Sequence, residues 1–213
     1  MAHPVYRNAE GKRLPSVTTI IGKFKEAGGL IHWAWDLGIQ GIDYRKVRDA
    51  AADAGTLAHT MVEADIRGLA QPEIDGHDLA QFKKALSAFD AYREWKRQTK
   101  LEPCETEVSM ICECHQMGGT LDTIMVQGKR SLGDWKTSNS IYAEYLIQLA
   151  AYRHLWEVNH PDMPIEGGFH LLRFSKSEGD FTHHYWSQLD DAWEAFCHMR
   201  PLYDLMAKLK ERV

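Results

Sequence analysis

Gly119-Thr120-Leu121-Asp122, followed by Gly133-Asp134-Trp135-Lys136, is the pair of segments whose reading decides the fold. Residues 117–126 are rich in strand-forming types, and residues 131–137 read as a second strand. Between them Gln127-Gly128-Lys129-Arg130 reads as a hairpin turn, so the two strands are expected to pair antiparallel. Side chains alternate along a strand, which puts Leu132, Asp134 and Lys136 on one face. Pairing then brings Asp122 beside Asp134.

Two carboxylates about 4 Å apart at an effective dielectric near 20 repel by roughly 4 kcal/mol, so such a site requires a proton or a cation. A divalent metal satisfies it best. Oxygen donors favour Mg2+ or Mn2+, and a metal-bound water can attack a phosphate. Lys136 is then suited to orient that water or to offset charge on the phosphate. An isolated D-x-K, however, is ordinarily an ion pair on a surface strand, and the wider sequence has to decide.

A helix is expected at about 142–158, with Tyr145, Leu149, Tyr152 and Trp156 forming an apolar stripe. Within it Gln148 and Tyr152 stand at i and i+4 and project together. Upstream, Gly55-Thr56-Leu57-Ala58-His59 lies in another helical segment, where His59 and Glu63 have the same spacing.

Taken in order, G-x-x-x-H, G-x-x-D, D-x-K and Q-x-x-x-Y resemble the PD-(D/E)XK nuclease superfamily, and more narrowly its RecB-like branch of phage and mitochondrial single-strand exonucleases. The resemblance covers about residues 15–175. It implies an α/β fold with a restriction-endonuclease-like core: a central mixed β-sheet flanked by helices, an N-terminal helical elaboration and a C-terminal helix. It also implies that His59, Asp122, Asp134 and the backbone carbonyl of Trp135 ligate Mg2+, with Mn2+ able to substitute. Lys136 is the implied catalytic lysine, acting with Asp122 and Asp134, while Gln148 and Tyr152 position it or the substrate. Glu107 matches an acidic position frequent in the family and is open between a functional and a structural role, as is Glu63.

Some RecB-like relatives hold an iron–sulfur cluster on four cysteines, one before the core and three clustered after Q-x-x-x-Y. Here Cys104, Cys112 and Cys114 precede Asp122 and Cys197 falls in the last helix, so no iron–sulfur cluster is expected. Cys112-Glu113-Cys114 also lacks the spacing of a zinc ribbon, and His115 is poorly placed to join the same tetrahedron. Reduced, partly buried thiols are expected.

The 213 residues, 44% hydrophobic and 26% charged, are normal for one soluble domain, expected to span 1–213 with its nuclease core at about 46–187. The longest apolar stretch, near residues 29–35, is too short to cross a bilayer, and Met1-Ala-His-Pro lacks the features of a secretory signal. The expectation is a protein of the host cytosol with no membrane partner. The net charge of −5 runs against a nonspecific DNA binder. Local basic groups matter more: Lys12-Arg13, Lys23 and Lys25, Lys83-Lys84, Lys96-Arg97 with Lys100, and Lys129-Arg130 are solvated faces or walls of a strand-binding groove.

Ser16 is a candidate N-cap for a first helix, and residues 30–37 and 44–67 read as helical. Pro72 and Gly76 break the chain before an amphipathic helix at 78–98, whose core stripe is read as Leu79, Phe82, Leu86, Phe89 and Arg93. Strands are expected at 105–112, 118–126, 131–137, 168–174 and 181–187, and a final helix at 189–211. Trp33, Trp35 and Tyr44 are read as core aromatics, with stacking on unpaired bases the alternative. His183 and His184 are read as surface residues.

Three functions remain: a metal-dependent DNA exonuclease working from free, single-stranded ends in phage or bacterial recombination, replication or repair, with a recombination or replication protein as partner; an endonuclease of the same superfamily; or a nucleic-acid-binding protein with a degenerate site.

Overall fold

The computed structural model describes residues 4–73, 78–138 and 140–213; Gly76 and the first three residues, on which two of the readings above fall, lie outside them. A short hairpin, β1 (Tyr6–Arg7) and β2 (Arg13–Leu14), precedes helices α1 (Val17–Gly22), α2 (Gly28–Ile39), α3 (Tyr44–Arg67) and α4 (Leu79–Gln98). Strands β3 (Glu102–Cys112), β4 (Met117–Gln127) and β5 (Lys129–Lys136) come next, followed by α5 (Ala143–Asn159), β6 (Phe169–Phe174), β7 (Phe181–Trp186) and α6 (Asp190–Lys210).

Helices α1, α3 and α4 start where short polar side chains can take up free backbone N–H groups. Ser16 Oγ accepts from Thr19 N at 3.0 Å, Asp43 from Arg45 N at 3.0 Å, and Asp78 from Ala80 N at 2.9 Å. The five long strands form one sheet in sequence order. β3, β4 and β5 are antiparallel neighbours, β5 and β6 are parallel across the α5 crossover, and β7 returns antiparallel on β6. This is the mixed α/β sheet expected from the sequence. The β1–β2 hairpin was not foreseen, since two residues per strand leave no alternation to read.

Each face of the sheet is buried under helices. On one, α1, α5 and α6 pack Val17, Ile20, Leu149, Trp156 and Phe196 against Leu121 and Leu132. On the other, α3 and α4 pack Met61, Phe89, Tyr92 and Trp95 against Trp135 and Leu172. Full burial of one such large side chain contributes about 1.5–3 kcal/mol, so the two faces together fix the sheet in place.

Two sequence readings are corrected here. The core face of α4 is Ala85, Ala88, Phe89, Tyr92 and Trp95, while Leu79, Leu86 and Arg93 are exposed. Small alanines let the helix approach the sheet closely, and Tyr92, stacked on Phe89, fills the space together with Trp95. Trp35 is not a core residue either. Helix α2 buries none of its side chains, and Trp35 is 61% exposed beside Leu30 and Ile31. Trp33 and Tyr44 are partly buried and meet edge to face, 6.2 Å between ring centroids. His183 and His184 are exposed, as read from the sequence.

The sheet is split along part of its length. β4 and β5 pair only from Thr123↔Gly133 to Gln127↔Lys129. Past Gly133, β5 continues on β6 alone as far as Lys136↔Arg173, while the first half of β4 stays on β3. The next rung of the broken ladder would have been Asp122 opposite Asp134.

Candidate active site

Because the strands part at this rung, the backbone N–H of Trp135 has lost its ladder partner, and Asp122 Oδ2 accepts it at 2.7 Å. Asp134, wholly inaccessible to solvent, accepts from Gln148 Nε2 on Oδ1 at 3.2 Å and has Lys136 Nζ 2.6 Å from Oδ2. That lysine contact is not aligned as a hydrogen bond, so Oδ2 remains a buried acceptor without a directed donor.

Lys136 also donates to Gln148 Oε1 at 3.2 Å and sits 4.7 Å above the centre of the Tyr145 ring. Gln148 Nε2 reaches the Tyr152 hydroxyl at 3.1 Å. Gln148 and Tyr152 are one turn apart on α5, so one helix face supports both the lysine and Asp134. Gly119 permits this approach: a β-carbon there would stand 2.8 Å from both the Tyr152 ring and Leu155.

From the other side α3 brings His59, whose Nδ1 lies 3.9 Å from Asp122 Oδ2. Gly55, one turn earlier, lets α3 come this close, because a β-carbon there would lie 2.9 Å from Thr137 Oγ1 just beyond β5. Glu107 of β3 completes a group with His59 and Asp122 in which one ligand atom from each lies within 4.8 Å of the others. It faces Asp122 at a rung where β3 and β4 do not pair, with φ at 55°, in the left-handed region. Glu63 pairs with Arg67 at 2.7 Å rather than with His59, and Arg67 in turn donates to the Thr106 carbonyl.

The site resists negative charge. Burial pushes the Asp134 carboxyl up to about 7, with Asp122 adding to the rise and Lys136 opposing it. Burial, then the Asp122 and Glu63 carboxylates, push Glu107 up to about 7, and burial raises Asp122. Burial disfavours the Lys136 ammonium, but Asp134 and Asp122 outweigh it and hold its pKa above the ordinary value. Burial, reinforced by Lys136, lowers His59 to about 4, leaving a neutral imidazole able to coordinate a metal.

Three clustered carboxylates, one of them with a buried and undirected oxygen, beside a neutral imidazole fit a divalent cation, which would relieve the repulsion. The backbone carbonyl of Trp135 faces His59. His59, Glu107, Asp122, Asp134, Lys136, Gln148 and Tyr152 therefore converge here and Glu63 does not, while Asp134 turns its oxygens to Lys136 and Gln148 rather than to the group of His59, Glu107 and Asp122. Tyr145 under the lysine and Lys176, which influences His59, were not picked out. Tyr145 lies one turn before Leu149 on α5 and was read only as part of the core stripe.

A cavity of about 440 Å³ opens beside Tyr152, lined by Tyr6, Arg13, Ser16, Thr18, Thr19 and Thr120. Of the basic groups noted in the sequence, Arg13 lines this cavity. Lys25 pairs with Glu144 and Lys96 with Asp65.

No curated protein sequence is significantly similar to the chain. Among solved structures, a candidate exonuclease from Eubacterium rectale is similar at 15% identity and a TM-score of 0.48, over 70% of this chain and 64% of its own. The chain thus spans a little under two thirds of that relative. SSO0001 is similar at 15% identity and a TM-score of 0.35, over 72% of this chain and 74% of its own. The sequence profile described as the PD-(D/E)XK nuclease superfamily matches residues 6–201. With that match spanning nearly the whole chain, the protein belongs to the PD-(D/E)XK nuclease superfamily.

Proposed function

We propose that the protein is a Mg2+-dependent DNA exonuclease, a single nuclease domain in which Mn2+ can replace Mg2+. The observation that carries the reading is the split between β4 and β5, which gathers Asp122, Asp134 and Lys136 in one buried cleft. His59, Asp122, Asp134 and the Trp135 carbonyl would hold the metal, and Glu107 would join them from β3. When bound, a divalent cation supplies Lewis-acid polarisation of the phosphate and a water of lowered pKa.

The chain's own groups do the rest. Trp135 N–H fixes the Asp122 carboxylate, so one oxygen is oriented before substrate arrives. Lys136, held between Asp134 and Gln148, orients the attacking water and offsets charge developing on the phosphate oxygens. Tyr152 holds Gln148, which accepts from the lysine and donates to Asp134. Arg13 and the hydroxyls of Ser16, Thr18 and Thr19 offer a phosphate backbone a cation and donors along the cavity beside Tyr152.

Action from free, single-stranded ends is supported by the flanking segments: β1, β2 and α1 border the cleft on one side and α3 on the other, a form suited to threading a strand. Its setting would be phage or bacterial recombination, replication or repair in the host cytosol, alongside a recombination or replication protein. Among the described residues no helix is long and apolar enough to cross a membrane. Incubation with linear and covalently closed single-stranded DNA, with Mg2+ or with EDTA, tests the proposal. Mg2+-dependent loss of the linear strand alone is expected. Equal cleavage of circles would establish an endonuclease instead, and no cleavage of either would establish a degenerate site.

A further inference from the structure

We propose that Cys112, Cys114 and His154 form a second, soft metal site that binds Zn2+, apart from the nuclease centre. Cys112 ends β3, Cys114 lies in the turn that leads to β4, and His154 comes from α5, forty residues on from Cys114. His154 Nε2 is 3.5 Å from Cys112 Sγ and 3.8 Å from Cys114 Sγ. In a tetrahedral zinc site, with Zn–S near 2.3 Å and Zn–N near 2.0 Å, a sulfur and a nitrogen ligand stand roughly 3.6 Å apart. The two thiols are free and 2.8 Å apart, so they must separate by about 1 Å to hold the ion, well within the reach of an exposed Cys114 side chain.

The surroundings are built to hold the imidazole. His154 stacks on Trp193 of α6, ring centroids 4.3 Å apart, and meets the edge of His115 at 4.8 Å. The His115 backbone N–H points at Cys112 Sγ from 3.4 Å, the kind of hydrogen bond that supports a metal-bound thiolate. Arg200, itself buried, pins that turn by donating to the carbonyls of His115 and Gln116. Solvent takes the fourth position on the exposed Cys114 side. Thiolate and imidazole donors select zinc from the hard cations suited to the carboxylate cleft.

The consequence is mechanical. His154 follows Tyr152 by two residues on α5, so the ion ties the β3–β4 turn to the helix that carries Gln148 and Tyr152. It would steady that helix without taking part in phosphodiester cleavage. The C-x-C spacing alone did not disclose this, because the third ligand comes from a distant helix.

The test uses the reduced full-length protein stripped of metal and titrated with Co2+ as a spectroscopic substitute for Zn2+. One equivalent giving thiolate-to-cobalt charge-transfer absorption, displaced by Zn2+, is expected. The absorption should vanish in Cys114→Ser and fall in His154→Ala, and persist in His59→Ala. Zn2+ should also raise the melting temperature of the wild type but not of Cys114→Ser, an exposed position at which folding is preserved. Cobalt bound without charge-transfer absorption, or an absorption indifferent to His154→Ala, would overturn the proposal. So would a thiol titration of the denatured protein as purified, without reductant, that finds two free thiols instead of four, which would make Cys112 and Cys114 a disulfide pair.

Discussion

Asp122 Oδ2 and the backbone N–H of Trp135 are joined at 2.7 Å at the point where the β4–β5 ladder breaks. One side chain thereby satisfies the N–H that the split frees and is itself aimed into the split. Asp122→Ala should leave that N–H unpaired, costing about 1–3 kcal/mol in stability, and should abolish metal-dependent cleavage. Asp122→Asn keeps an acceptor for the N–H and should recover most of the stability but little of the cleavage. Urea unfolding beside a cleavage assay separates the two effects, and equal stability of the two variants would contradict the assignment.

Metal affinity should rise with pH. Asp134 and Glu107 both sit at about 7, so at pH 6 they retain protons that an incoming cation must displace. Mn2+ binding should tighten between pH 6 and 8, at most by about tenfold per pH unit for each proton displaced. Calorimetric titrations at the two pH values check this, and Glu107→Gln should flatten the dependence. Affinity that is constant across the range would count against the carboxylate cluster.

A different pair governs acid stability. His170 is buried on β6 with its Nδ1 2.8 Å from His183 Nε2, and Trp95 Nε1 donates to His183 Nδ1 at 3.3 Å. Trp95 can only donate, so His183 carries its proton on Nε2 and His170 Nδ1 must accept. Burial, with His183 adding to it, lowers His170 from 6.5 to about 4. The unfolded chain therefore takes up this proton first, and stability present above 6.5 is lost as pH falls toward 4, by at most about 1.4 kcal/mol per pH unit. Urea midpoints at pH 7 and 5 should show the loss, and His170→Leu should reduce the slope. An unchanged slope would remove His170 from the account.

Gly119 carries a steric prediction. A methyl group there meets Tyr152 and Leu155, so Gly119→Ala should cost about 1–3 kcal/mol and displace the Tyr152 hydroxyl from Gln148. Activity should fall further than in Tyr152→Phe, which removes only the hydroxyl. If Gly119→Ala cleaves as well as the wild type, Tyr152 does not position the site.

Much of this site was legible because strands repeat every two residues and helices close every four. Period two put Asp134 and Lys136 on one face and i, i+4 spacing put Gln148 with Tyr152, whereas the same spacing of His59 and Glu63 makes no pair because Glu63 turns to Arg67. What the sequence withheld came from breaks in those periods. The β4–β5 split has no signature of its own, and Glu107 sits in a left-handed kink that alternation does not anticipate. The buried face of α4 was misread because leucines drew attention from alanines that pack more closely. His154 joins Cys112 and Cys114 only through the tertiary packing of α5 on the β3–β4 turn.

The most direct measurement of the central claim is single-turnover cleavage by Lys136→Ala, run beside calorimetric Mn2+ titration of the same variant and of Asp134→Asn. Lys136→Ala keeps both carboxylates, so it should still bind Mn2+ while its cleavage rate falls by about 10² to 10³, equivalent to roughly 3–4 kcal/mol of lost transition-state stabilisation. Asp134→Asn should lose both metal and turnover. A Lys136→Ala enzyme that binds Mn2+ and cleaves at the wild-type rate would contradict the account, because the lysine in the split of the sheet would then have no part in the chemistry.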